Sequence, residues 1–152
     1  MSIVRIKIDK LELITKPSGE WKNNRYYIDI NVDESITFIG RIILEKELPL
    51  YLDAVVTGYL VIKDSKTGEI VYRAKLTVVI PGGSKEHEFE IVKLRFTKSN
   101  EYIAQLTDFP EYIEIIIREP ILRGLEEASG LVTTNSVLHT EKIRSEFGVE
   151  YA

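Results

Sequence analysis

The chain has 152 residues, 29% of them charged and 44% hydrophobic, with a formal net charge of -4. That balance suits one folded domain with a real core, excludes wholesale disorder, and lacks the basic footprint expected of a nucleic-acid binder. No cysteine is present, which removes disulfides, thiolate zinc sites and cysteine nucleophiles.

In chain order, MSIVRIKIDK interrupts its apolar residues with charge, so no signal-peptide core is expected. No apolar run approaches the roughly 20 residues of a membrane helix. The expectation is therefore a cytoplasmic or virion protein with no membrane insertion. The first strand, IVRIKIDKLELI, changes phase between Ile8 and Leu11. A bulge there would let one long strand bend and serve two sheets.

Next, RYYIDINVDESITFIGRIIL reads as a hairpin turning at Asp33, Glu34 and Ser35, with Ile30 opposite Phe38 and Tyr27 paired with Arg41 outside. Residues 54–91 read as a three-stranded meander. Its first hairpin pairs Ile62 with Ile70, Leu60 with Tyr72, Gly58 with Ala74 and Ala54 with Val78, and its second pairs Ile80 with Lys85 and Leu76 with Phe89. Both assign the middle strand one inner face, and a one-residue slip would send every side chain to the other side. The small residues Gly58 and Ala74 leave a gap on that face, for which Trp21, the only tryptophan, is the expected filler. EYIAQL and YIEIIIR then flank TDFPE as a further hairpin, with Ala104 opposite Ile115.

About eight short strands with period-two patterning and no helix before residue 120 predict an all-β antiparallel sandwich, immunoglobulin-like or jelly-roll-like, with a barrel as the alternative. Residues 1–120 form the predicted β-sandwich domain, and 121–152 a C-terminal extension. Within it LVTTN reads as an extended segment, and SVLHTEKIRSEF as a short helix opened by Asn135 or Ser136 and closed at Gly148.

Candidate chemistry is sparse. In EHEFE, alternation sends Glu86, Glu88 and Glu90 to one solvated face answered by Lys75, and leaves His87 with Phe89 at the rim of the core. His139 near Ser136 and Glu141 is not a triad by spacing alone. The carboxylate pairs Asp108 with Glu111 and Asp53 with Asp64 are of a kind any acidic chain offers. Tyr27, Tyr51, Tyr59 and Tyr112 are candidates for a sugar platform, against the simpler reading that Tyr59 and Tyr27 cover arginines across strands. No residue set predicts a cofactor or a metal site.

One feature resists a bland reading: the outward row of the meander carries Val55, Val61, Val71 and Val79, and the last hairpin adds Ile103 and Ile116. Exposed apolar patches mark interaction sites. With Tyr59 and the tail residues Leu138, Ile143 and Phe147, the four valines form the candidate interface. The tail and the apolar row are expected to cover each other, within one chain or between two. The predicted function is a non-enzymatic structural or assembly protein whose partner is itself or another protein. A protein- or carbohydrate-binding module is the alternative, and a hydrolase ranks last. Sparse Met and Gln beside abundant Ile, Lys and Glu suggest a thermophilic host, for which a virion or filament subunit of an archaeal system is an analogy.

Overall fold

The computed structural model describes residues 2–117 and 137–152. Its strands are β1 (Ser2–Lys16), β2 (Glu20–Lys22), β3 (Arg25–Ile30), β4 (Glu34–Leu44), β5 (Ala54–Asp64), β6 (Ile70–Ile80), β7 (Glu86–Phe96), β8 (Asn100–Thr107), β9 (Tyr112–Ile117), β10 (Val137–Ile143) and β11 (Val149–Tyr151). They form two sheets, a five-stranded one in the order β11-β7-β4-β1-β9 and a six-stranded one in the order β10-β6-β5-β8-β3-β2. Every pairing is antiparallel. The predicted β-sandwich is therefore the fold.

The strand partners differ from those expected. β6 and β7 lie in different sheets, as do β3 and β4, and β8 and β9, so the meander and two of the hairpins do not form. The reason is geometric. Alternation records which side chains face the core. A strand facing the core from the opposite sheet shows the same alternation as a hairpin partner in the same sheet. The PGGS corner illustrates the crossing. Pro81 offers no N–H, Gly82 N–H donates to Asp53 Oδ1 at 2.7 Å, and Gly83 sits at φ 84°. Backbone bonds from Gly83 to Leu48 and from Leu48 to Ser84, 3.0 Å each, pin the corner to the 45–53 loop.

The β5–β6 hairpin does form, two residues out of the expected register. Ala54 meets Ile80, Gly58 meets Leu76 and Leu60 meets Ala74, and a bulge follows Ile62. Because the slip is by two, the inner face is preserved. The bulge turns both Val71 and Tyr72 into the interior, where each is buried. In β1 the expected irregularity lies between Ile8 and Lys10. The strand pairs with β9 through Ser2–Lys7 and with β4 through Ile8–Lys16, so it joins two partners within one sheet rather than two sheets.

The two sheets meet through large side chains. Phe96 lies 4.9 Å from Tyr102 across the sandwich and 6.4 Å from Phe38 within its own sheet, by ring centroids. The gap at Gly58 is filled by Phe109, from the loop after β8, whose ring occupies the space a Cβ would need. Trp21 does not fill it: it stands 60% exposed on β2. Gly40 is filled likewise by Phe89.

The expected tail helix is also corrected. Residues 137–143 form β10 on the edge of β6, and only Ser145–Phe147 makes a 3-10 turn before β11 pairs with β7. The apolar residues Leu138, Ile143 and Phe147 are too few for a helical stripe. They serve instead as half-buried packing against the core. The LVTTN segment lies outside the described residues.

Seating of Phe109 on Gly58 gives a direct test. Phe109→Ala should lower unfolding free energy by about 2–4 kcal/mol, and Gly58→Ala by about 1–3 kcal/mol through overpacking. In the double variant the new methyl enters vacated space, so the combined loss should fall short of the sum by about 1 kcal/mol or more. Urea titration of the four proteins measures this, and additive losses would contradict the contact.

Candidate functional site

The titratable residues do not converge. Among the described residues no group of three or more His, Asp or Glu side chains is placed to hold a metal ion. Asp53 and Asp64 flank opposite ends of the eleven-residue β5, roughly 35 Å apart at ~3.3 Å per residue, and both serve structure. Asp53 accepts from Gly82. Asp64 accepts from the N–H groups of Lys66 and Thr67 and from Asn100 Nδ2 at 2.9 Å, which holds its carboxyl below the ordinary range. Asp108 and Glu111 are exposed. His139 is exposed on β10 opposite Lys75. Ser136 lies outside the described residues.

His87 sits at the rim of the core, stacked on Phe89 with centroids 6.0 Å apart. Its Nε2 is buried without a hydrogen-bond partner among the described residues, and burial holds the imidazole pKa below its ordinary 6.5. The glutamate row beside it is solvated, as alternation predicts. Its cation is Arg41, 2.8 Å from Glu86, rather than Lys75.

The four tyrosines do not form a platform. Tyr27 and Tyr59 lie on the six-stranded sheet, Tyr112 lies on the five-stranded sheet, and Tyr51 lies in a loop. Three are covered by cations: Arg73 over Tyr59 at 4.3 Å, as the sequence predicts, Lys22 rather than Arg41 over Tyr27 at 4.7 Å, and Arg5 over Tyr112 at 4.5 Å.

The candidate interface residues separate into four groups. Val61, Val71 and Val79 are buried, and Val71 belongs to the core. Tyr59 lies half-buried under Arg73. Leu138 pairs with Leu76 and Ile143 with Tyr72, and Phe147 packs with them against the core under Arg144. The described part of the tail thus extends the edges of both sheets instead of lying across the valine row. Val55 alone of the row is strongly exposed, at 61%.

Val55 belongs to a different apolar surface. It lines a cleft of about 300 Å³ with Leu52, Pro110, Tyr112, Glu114 and Ile116. One wall is β9, the last strand of its sheet among the described residues. The other is the start of β5, where β8 pairs only with Tyr59–Asp64 and leaves 54–58 without a partner on that side among the described residues. Ile116 is 53% exposed, and its cross-strand neighbour Ile3 is 64% exposed.

The four outermost strands of the described sheets differ in kind. β2 and β11 have three residues each, and β10 carries a bulge and the charged pair Glu141 and Lys142. Short, bulged or charged edges resist pairing with another chain. β9 is YIEIII, six residues with a single charge. That composition is visible in the sequence, but the expected hairpin with β8 concealed that it is an edge. No protein-family model, curated protein or solved structure gives a significant match to this chain.

The buried histidine makes a pH prediction. A base whose folded pKa lies below its unfolded value binds more protons unfolded, so stability is full above pH 6.5 and falls as pH drops toward the folded value. The denaturant midpoint should decline as pH falls from about 7 to 5.5. Carboxylates held low by partners, such as Asp64 and Glu86, respond only further down, from ordinary values of 3.8 and 4.5. His87→Phe should flatten the slope in the upper window. An unchanged slope would contradict the assignment.

Proposed function

We propose that the chain is a non-enzymatic assembly subunit, a β-sandwich that pairs with a second copy through the β9 edge and the cleft beside it. The observation that carries the reading is the contrast among the edges. Among the described residues three outer strands are short, bulged or charged, and the fourth is a six-residue apolar strand with exposed Ile116 and Tyr112 beside exposed Ile3.

A second copy suits this edge because the edge complements itself. The outward residues of β9 are Tyr112, Glu114 and Ile116, facing Lys7, Arg5 and Ile3 of β1. A two-fold axis through Glu114 sets Tyr112 of each copy opposite Ile116 of the other, an aromatic and β-branched pair of the kind that stabilises sheets. The two Glu114 carboxylates then approach, but each already has its own Arg5 at 3.3 Å. Such an isologous contact closes after two subunits, and continuing the sheet satisfies backbone groups that an isolated edge leaves to water.

Size-exclusion chromatography with light scattering across protein concentration tests the proposal. The wild-type chain should double in mass, whereas Ile116→Lys should weaken association by about tenfold or more, about 1.4 kcal/mol, with its thermal midpoint unchanged at concentrations low enough that both chains are monomeric. Val137→Lys, on the exposed face of β10, should associate like wild type. A wild-type chain that stays monomeric, or an Ile116→Lys variant that dimerises equally well, would overturn the proposal.

A further inference from the structure

At the edge of the other sheet on the same side of the sandwich, among the described residues, stands the hairpin of β2 and β3. Lys22 pairs with Arg25, and the two residues between them, Asn23 and Asn24, have φ of 51° and 61°. This two-residue left-handed turn matches strand twist, and asparagine tolerates it. The hairpin holds Trp21 and Tyr26 directly opposite each other, with ring centroids 5.2 Å apart at 54°.

The aromatic pair is fixed from behind. Tyr26 is buried, and its hydroxyl meets Thr15 Oγ1 at 2.6 Å and accepts from Gly19 N–H at 2.7 Å. Tyr26 is therefore anchored to β1 and to the loop that follows it, and Trp21 leans on a buried, hydrogen-bonded ring. In front of the pair opens a pocket of about 230 Å³. Its floor is Leu11 and Leu13 of β1, and its polar rim is Asn24, Arg25 and Gln105. A site whose walls are locked before binding loses less ordering entropy when filled.

We infer that this pocket binds a single pyranose ring. The match is chemical. A pyranose has an apolar C–H face, suited to an exposed indole, and an equatorial ring of hydroxyls. Two side-chain amides and a guanidinium present planar arrays of donors and, from the amides, acceptors that suit neighbouring hydroxyls. The volume lies below the roughly 300–1,000 Å³ typical of drug-sized ligands, which limits the occupant to one ring. A phosphorylated ligand or nucleic acid fits poorly, because Arg25 is the only charged side chain on the lining and phosphate sites gather several cations or helix N-termini. The same arginine favours a sugar bearing a carboxylate. The pocket shares no lining residue with the cleft beside β9, so it does not depend on the β9 contact.

Trp21 is the only tryptophan in the chain, so its emission reports on this pocket alone. The full-length protein should be titrated with methyl glucoside, methyl galactoside, methyl mannoside and glucuronate while the emission maximum is followed. A saturable blue shift with at least one sugar is expected, with a dissociation constant of ~1 mM for so small a ligand. Arg25→Ala and Gln105→Ala, both at exposed positions, should each weaken binding by about fivefold or more without moving the thermal midpoint. Any advantage of glucuronate over the neutral sugars should disappear in Arg25→Ala. No saturable shift with any of the four sugars would overturn the inference, and so would unchanged affinity in both rim variants.

Discussion

An unpaired strand edge is a row of backbone donors and acceptors that must find partners or water, and this fold is organised by how it meets that constraint. On one side the chain supplies its own C-terminal residues. β10 extends the six-stranded sheet, the chain turns through Ser145–Phe147, and β11 extends the five-stranded sheet. Arg144 N–H donates to Val71 O at 2.9 Å, and Thr97 N–H donates to Gly148 O at 2.8 Å, so the crossing itself is bonded to both sheets. Gly148 makes the turn at φ 81°, with Thr97 and Lys98 where a Cβ would point. The aromatic ring of Tyr151 meets buried Tyr72 edge-on at 6.3 Å, which ties the last strand to the opposite sheet. On the other side lie β9 and β2, and both candidate sites are found there.

That asymmetry gives the molecule a closed side and an available side. On the closed side, Arg73 bonds Glu141 at 2.6 Å and Arg95 reaches Glu150 at 3.3 Å. These pairs are solvent-exposed and screened, so they hold the outer strands only weakly. The main attachment is burial: Val149 is fully enclosed, and Leu138, Ile143 and Phe147 cover the core margin. Single apolar residues are exposed on both sides, Val137 and Tyr151 on the closed one, but Ile3, Val55 and Ile116 are exposed around β9 and its cleft, and Trp21 is exposed on β2. Exposed apolar residues that cluster, as Val55, Tyr112 and Ile116 do along one cleft, are what interaction surfaces have in common.

The sequence made strand positions and facing legible, because the two-residue period is local and survives any choice of partner. Ile28, Ile30, Phe38, Leu60, Leu76 and Phe89 all face the interior as alternation requires. The irregularity in β1 was legible for the same reason, since a change of phase is written within the strand. Partners were not legible. Ile80 and Lys85 fit a hairpin as well as they fit a crossing, and the contacts that hold the crossing, such as Asp53 on the Gly82 N–H, come from residues distant in sequence. Trp21 was misplaced because size alone suggested the filler for Gly58, whereas Phe109 was carried there by the turn at Asp108, φ 60°. The cleft beside β9 depends on a strand being an edge, and the polar rim of the Trp21 pocket joins Asn24 and Arg25 to Gln105 across two elements.

The central claim is that β9 is the edge kept for a second copy. Amide hydrogen exchange at increasing protein concentration tests it most directly, because it reports on each edge separately. The account predicts that amides within Tyr112–Ile117 gain protection as concentration rises, whereas those of Glu20–Lys22 and Val137–Ile143 do not change. Protection of β9 that is independent of concentration, or a gain confined to β10 or β2, would contradict it.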